Sequence, residues 1–311
     1  MTQTIKIGTR KSPLALWQAY YVKDKIIQYN PGTNVELVEI VSEGDKHLET
    51  PLAKIGGKGL FLKELETALI KGEVDIAVHS MKDVTVKLPD GLHIPVICER
   101  EDPRDAFVSN HYASLADLPD GAKVGSCSLR RKSQIAARFP KLKLVDLRGN
   151  VNTRLAKLDN GDFDAIILAA AGLMRLEFHD RIKAFIQPEQ MLPAVGQGAV
   201  GIECRIGDSV IEKAIAPIHH VDSADRVWAE RAANEKLGGG CHVPVAAHAV
   251  LNGDELNLRA LVASVSGETV LQCEYNAPRS EAWALGERAA KDLIKQGADG
   301  ILKDVYRELG S

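Results

Sequence analysis

The chain has 311 residues, 45% of them apolar and 26% charged, and its 39 Lys and Arg against 42 Asp and Glu leave a formal net charge of −3. That balance suits an ordinary globular protein of about two or three domains and gives no overall attraction to nucleic acid. No stretch approaches the roughly 20 apolar residues of a membrane helix, Met1 to Thr4 lead into apolar alternation without a signal-peptide core, and five cysteines without CxxC spacing define neither a disulfide framework nor a zinc site. The expectation is a reduced, cytoplasmic protein with no membrane, no nucleic acid and no metal.

Short apolar runs alternate with helical patterns, as in parallel sheets joined by crossover helices. Ile5-Lys6-Ile7 reads as a strand ending at Gly8-Thr9-Arg10. Ser12-Pro13 then supplies an N-cap and a first-turn proline for a helix carrying Leu14, Leu16, Trp17 and Ile26. Val35 to Val41 is the second strand. Ser42 to Gly59 contains four glycines with Lys54 and Lys58 and has no period, which marks a long mobile loop of the kind that carries function. A helix with Leu62, Leu65 and Leu69 follows, then the strand Val74 to Val78. That strand ends at His79-Ser80-Met81-Lys82-Asp83, a polar cluster where α/β sheets bind ligands. His79 reads as structurally satisfied rather than catalytic.

A second unit repeats this grammar. Lys123-Val124-Gly125 ends a strand and Ser126-Cys127-Ser128-Leu129-Arg130-Arg131 opens a helix; Leu144 to Leu147 ends a strand and Arg148-Gly149-Asn150 opens another. Between Gly121 and Arg175 there are eleven basic residues against four acidic ones, so the near-neutral total hides a cationic region. Arg10, Arg130, Arg131 and Arg148 occupy equivalent strand-to-helix corners. There helix N-termini already favour anions, and the guanidinium fork matches carboxylate or phosphate.

Gly196 to Gly201 spells GxGxxG, but Pro193 and the lack of a clear preceding strand remove the dinucleotide-binding context. From about Val221 a third unit begins, with an amphipathic helix from Ala224 to Leu237, three strand candidates in succession (Val245 to Leu251, Leu256 to Val262, Val270 to Tyr275) and two final helices. This is an antiparallel sheet beside helices. Between its first helix and first strand lies Gly238-Gly239-Gly240-Cys241-His242, where three glycines expose a thiol on a pliable loop. A nucleophile, a metal ligand and a covalent cofactor anchor all fit Cys241 at this point.

Gly238-Gly239-Gly240-Cys241, His79-Ser80-Met81-Lys82-Asp83, Leu129-Arg130-Arg131, Leu147 to Arg154 and Pro193 to Gly198 together resemble, in order and over nearly the whole chain, the porphobilinogen deaminase (hydroxymethylbilane synthase) family. The resemblance implies three domains. Two are similar doubly wound, periplasmic-binding-protein-like α/β domains around a cleft, at 1–99 with 193–216 and at 100–192; the third is a smaller C-terminal α+β domain at 217–311 with a three-stranded antiparallel sheet.

It also implies a transferase of porphyrin and haem biosynthesis. Such an enzyme joins four porphobilinogen molecules head to tail with loss of ammonia, on a dipyrromethane primer held by a thioether to Cys241, and then releases the linear tetrapyrrole by hydrolysis. Asp83 resembles the catalytic carboxylate. Arg10, Ser12, Lys82, Ser126, Ser128, Arg130, Arg131, Arg148, Arg154 and Arg175 resemble the residues that bind the acetate and propionate groups of cofactor and substrate. Gln197 falls where the chain crosses back between domains, and Lys54, Lys58 and Phe61 belong to a mobile loop covering the cleft. A monomer is expected, with hand-over of product to the next pathway enzyme. Two rival readings are a solute-binding module, which has no need of Cys241, and a thiol transferase using Cys241 and His242, whose resting thiol would be free.

Overall fold

The computed structural model describes residues 4–42, 62–240 and 243–309. The chain starts with β1 (Thr4–Thr9), α1 (Pro13–Tyr29) and β2 (Asn34–Glu39), and continues after the undescribed 43–61 with α2 (Lys63–Ile70), β3 (Ile76–Ser80) and β4 (Leu92–Ile97). It then crosses into a second sheet through β5 (Asp105–Val108), β6 (Lys123–Gly125), α3 (Leu129–Arg138), β7 (Lys143–Val145), α4 (Val151–Asp159), β8 (Ala165–Ala169), α5 (Ala170–Arg175) and β9 (Ala184–Ile186). It returns to the first sheet with β10 (Val200–Arg205) and α6 (Ser209–Ile215). The third unit comprises α7 (Val221–Lys236), β11 (Val245–Asn252), β12 (Glu255–Ala263), β13 (Val270–Pro278), α8 (Ala282–Lys295) and α9 (Ala298–Leu309).

The two five-stranded sheets share one topology, β2-β1-β3-β10-β4 and β7-β6-β8-β5-β9. Four strands of each run in one direction, with β1 pairing in parallel with β2 and β3, and β6 with β7 and β8. The expectation of parallel sheets needs one correction, because β10 runs antiparallel to β3 and β4, and β5 antiparallel to β8 and β9. These are the strands by which the chain enters each sheet from the other. No crossover helix precedes either of them to turn the chain round, so each enters in the opposite sense. This is the doubly wound, periplasmic-binding-protein-like arrangement, built twice, with a three-stranded antiparallel sheet β11-β12-β13 beside it.

Each sheet is apolar on both faces, as a sheet wrapped by helices must be. Ile5, Ile7, Ile76 and Ile202 pack under Val22 and Ile26 of α1 and Ile211 and Ile215 of α6. Ala77 faces Leu65 and Leu69 of α2 on the other side. In the second sheet Val124 and Ile167 meet Ile135 of α3, while Ile166 and Leu168 meet Leu155 and Leu158 of α4. The third unit closes Leu256, Leu258 and Val262 under Ala233 of α7 and Leu285, Ala289 and Leu293 of α8. Among the described residues no helix is long and apolar enough to cross a membrane.

Candidate active site

The parallel strands point their carboxyl ends at one edge of each sheet, and side-chain caps fix how the chain leaves them. Ser12 Oγ accepts from Ala15 N (3.3 Å) at the start of α1, Ser128 Oγ from Arg131 N (3.4 Å) at α3, and Asn150 Oδ1 from Thr153 N (2.9 Å) at α4. Ser126 Oγ accepts from Ser128 N at 3.3 Å, which holds the turn before that cap. Arg10, Arg130, Arg131, Arg148 and Arg154 are thereby carried on or beside the first turns of helices that follow parallel strands.

In the first unit, β3 ends in a tight turn over Met81–Asp83. Met81 is buried beneath it and Asp83 is exposed above. Arg10, Ser12, Gln18, Ser80 and Asp83 line one pocket, and Gln18 Nε2 donates to Ser80 Oγ at 2.8 Å, tying α1 to the end of β3. His79, the residue before Ser80, also borders this pocket but is buried and engaged elsewhere. Its Nε2 lies 2.7 Å from the buried Glu203 carboxylate on β10, so it is structurally satisfied.

The second unit brings its cations to the same place. The Lys82 ammonium is held below its ordinary range by desolvation, against the pull of Asp83, and Arg131 and Arg154 push it further down. Arg154 is likewise lowered by desolvation; Cys127 and Asp83 oppose this, while Arg131 and Arg148 add to it. Lys82 and Asp83 of one unit therefore feel Arg131 and Arg154 of the other across a shared cleft. Mutual repulsion among cations at close quarters is relieved by a bound anion. The Arg154 guanidinium is aimed by its Nε, which donates to Gly149 O at 2.7 Å.

Beneath this surface lies a carboxylate that the sequence reading missed. Asp105, wholly buried at the start of β5, meets Arg130 Nη1 and Arg131 Nη2 at 2.8 Å each and receives Gln197 Nε2 at 3.1 Å. Burial alone would raise its pKa, but the two guanidinium charges and the bonds from Arg130 and Gln197 win and hold it at about 2. Arg130 also donates to Leu192 O (2.7 Å) and Arg131 to Ile167 O (3.0 Å). Arg175 reaches the Gly198 carbonyl at 2.7 Å and stacks over Trp17, bridging α5 to the returning chain and to α1. Gln197 Nε2 donates to Pro103 O at 2.6 Å, so the two crossing segments are bonded to each other. A lone aspartate in the strand Asp-Ala-Phe-Val was the available signal, since buried arginines need a carboxylate.

Lys54, Lys58, Phe61, Cys241 and His242 lie outside the described residues. The glycines before Cys241 are described, and the first two end α7. Gly238, at φ +63°, and Gly239 donate back to Glu235 O and Asn234 O at 2.9 Å each, a left-handed helix stop. Of the other thiols, Cys98 and Cys204 are fully buried, and burial pushes each up to about 12; Cys273 is pushed up to about 11 for the same reason. Cys127 is half-buried beside the cleft.

Two doubly wound units meet at an edge dense in cations, with the exposed Asp83 carboxylate among them, an arrangement whose chemistry suits a small multiply anionic molecule. The sequence matches two family models, "Porphobilinogen deaminase, dipyromethane cofactor binding domain" over residues 5–213 and "Porphobilinogen deaminase, C-terminal domain" over residues 224–295. The chain belongs to the porphobilinogen deaminase family, the transferases of tetrapyrrole biosynthesis that convert porphobilinogen to hydroxymethylbilane on a dipyrromethane cofactor.

Looser likeness extends to solute-binding proteins. One is a nutrient binding protein from Burkholderia cenocepacia bound to methionine, 16% identical over 68% of this chain and 90% of that one, with a TM-score of 0.43. Another is a periplasmic substrate-binding protein of an ABC transporter from Coxiella burnetii, 14% identical over 70% of this chain and 92% of that one, with a TM-score of 0.45. These two carry no functional argument.

Proposed function

We propose that this hydroxymethylbilane synthase chemistry is carried by Asp83 as the catalytic carboxylate and by Cys241 as the thioether anchor of the dipyrromethane. The observation that carries the reading is the set of mutually repelling cations Lys82, Arg131, Arg148 and Arg154 gathered around the exposed carboxylate of Asp83, with Asp105 buried beneath Arg131. A dipyrromethane bears acetate and propionate groups, and guanidinium forks fit that donor set. When bound, the cofactor supplies the free pyrrole α-carbon to which each porphobilinogen is joined.

The residues divide the work by position. Arg148, Arg154 and Lys82 bind carboxylates at the cleft surface, with Arg10 and Ser12 doing so on the first unit's side. Ser126 and Ser128 orient the turn and offer hydroxyls. Arg130, Arg131, Arg175 and Gln197 act closer to the hinge, where Arg131 still has donors beyond those engaged by Asp105 and Ile167 O. Asp83 stabilises the positive charge that develops on the substrate as ammonia leaves, and it takes part in moving the pyrrole proton. Lys54, Lys58 and Phe61, outside the described residues, take by family resemblance the role of keeping water from the cationic substrate.

The division at 1–99 with 193–216, 100–192 and 217–311 follows the exchange of β5 and β10 between sheets. It places hinge motion in the two crossing segments. The enzyme works as a cytoplasmic monomer that passes its product to the next enzyme of the pathway. Burial of the thiols of Cys98, Cys204 and Cys273 leaves the Cys241 loop as the better anchor.

Intact mass of the purified, active protein tests the reading. An excess of two linked pyrrole units, mapped to the Cys241 peptide and absent from Cys241→Ser, is expected. A bare chain mass from active protein, or the adduct on Cys127, overturns it.

A further inference from the structure

A second constellation lies in the first sheet, at the edge away from the cleft. His93 sits near the start of β4, Cys204 near the end of the antiparallel β10, and Glu212 on α6. Cys204 pairs with His93 across the ladder, so their side chains share one face, and α6 packs on that face through Ile211 and Ile215. Among the described residues these three alone bring an imidazole nitrogen, a thiol and a carboxylate oxygen within 4.8 Å of one another.

The contact between two of them is peculiar. His93 Nε2 lies 3.0 Å from Glu212 Oε1, yet it is buried and makes no hydrogen bond. Its close approach to a carboxylate oxygen thus lacks the direction a hydrogen bond requires. The same Oε1 accepts from the backbone N–H of Gly207 at 3.1 Å, which fixes the carboxylate in place. A tetrahedral ion bound through nitrogen, oxygen and sulfur spaces its donors by about 3.3 to 3.7 Å, given bond lengths of about 2.0 to 2.3 Å. Small side-chain adjustments bring the three atoms to that spacing.

We propose that His93, Cys204 and Glu212 bind a borderline-soft divalent cation such as Zn²⁺, with water as the fourth ligand. The donor set selects the class of ion, since thiolate and imidazole favour Zn²⁺ or Cd²⁺ whereas Mg²⁺ and Ca²⁺ require oxygen. On binding, the Cys204 S–H bond breaks, its proton passes to solvent, and a sulfur–metal bond forms; His93 contributes its Nε2 lone pair. His93 and Glu212 are each about one-third exposed, with side-chain values of 34% and 33%, and they form the lip through which the ion enters above the buried sulfur. The ion clips α6 to β4 and β10 and takes no part in turnover.

The test uses the holoenzyme stripped of metal by a chelator. Zn²⁺ is titrated against a chromophoric competitor, and Cd²⁺ is followed by thiolate-to-metal charge-transfer absorbance. One equivalent of each is expected to bind. His93→Gln and Glu212→Gln should each weaken Zn²⁺ by at least about tenfold, and turnover of the metal-free enzyme should be unchanged. The Cd²⁺ band should persist in Cys127→Ser and vanish in Cys204→Ser. Saturating Zn²⁺ should raise the melting temperature of the unaltered protein and leave that of the two lip variants unmoved. Failure to bind one equivalent, binding indifferent to both lip substitutions, or a Cd²⁺ band lost with Cys127 overturns the proposal. If Cys204→Ser does not fold, the lip variants still decide it.

Discussion

Arg100 and Glu230 form a two-pronged pair, 2.7 and 3.0 Å, with both side chains wholly buried. Arg100 lies on the segment that leaves the first sheet and Glu230 on α7 of the third unit. Glu230 also accepts from Gly196 N (2.7 Å) on the returning segment and Ala249 N (2.8 Å) on β11, while Arg100 Nε donates to Gln197 O (2.9 Å). One ion pair thus joins both crossing segments to the third unit. The cleft between the first two units is anchored, through the same atoms, to the unit that carries Cys241.

Removing the acid from this pair should be severe. Glu230→Gln keeps the shape but leaves the Arg100 charge buried without its counter-ion, which costs about 3 to 5 kcal/mol. Urea unfolding should show that loss in midpoint at an unchanged slope. A loss below about 1 kcal/mol would mean that water reaches Arg100.

The same burial gives a pH signature. Although burial alone raises Glu230, the charge and the two-pronged bonds of Arg100, with His248 nearby at 3.6 Å, hold it at about 2, and Asp105 is held at about 2 by its two arginines. Both folded values are depressed, so their stabilisation is complete above the unfolded carboxylate range and is lost as pH falls through the folded values. Stability should therefore decline steadily from about pH 4.5 to about pH 2. Glu230→Gln should flatten part of that decline.

Two aspartates should separate function from scaffold. Asp83 is exposed in the cleft, so Asp83→Asn should lower kcat by about 10²- to 10³-fold and change stability by no more than about 0.5 kcal/mol. Asp105 touches no exposed surface, so Asp105→Asn should cost about 3 to 5 kcal/mol and raise KM by loosening Arg131. Paired steady-state kinetics and unfolding curves on the two variants check both halves.

How much the sequence discloses follows from how local each feature is. Ser12, Ser128 and Asn150 are legible as helix starts because a cap bonds only three residues ahead. The carboxyl-end position of Lys82 and Asp83 is legible because a strand and its turn are contiguous. The reversed direction of β5 and β10 is not, since it depends on which sheet the chain enters after residues 98–104 and 187–199. Arg130 and Arg131 read as cleft-facing corners like Arg148. Their internal partner Asp105 is 25 and 26 residues away and carries no local mark of the pairing.

Glu66 should oppose folding at neutral and higher pH. Burial first, and Glu203 second, raise it to about 7, with His79 pulling the other way. A carboxyl raised above its unfolded value binds its proton more tightly in the folded state, so stability falls as pH climbs from about 4.5 to about 7. Glu66→Gln should raise the melting temperature at pH 8 and leave it nearly unchanged at pH 4. An equal gain at both values would assign the effect to packing instead.

The crossing segments leave no room for a side chain where they meet. Gly198 has φ +87°, and a Cβ there would stand 2.4 Å from Glu101 O, backbone that cannot swing aside. Glu101 N donates to Gly198 O at 3.2 Å, and Arg175 Nη2 uses the same carbonyl at 2.7 Å. Gly198→Ala must therefore adopt a left-handed conformation costing about 1 to 2 kcal/mol and also part the two segments. That movement would withdraw Gln197 from Asp105 and Arg175 from its carbonyl. The expected result is a loss of stability exceeding the conformational cost alone, together with a higher KM, because the cations of the second unit are set by this junction. Gly172→Ala provides the control, since its Cβ would find its nearest neighbour at an ordinary 3.6 Å and its φ is not left-handed. If both variants melted together, the junction would be able to yield, and the two units would be free to shift without disturbing Asp105.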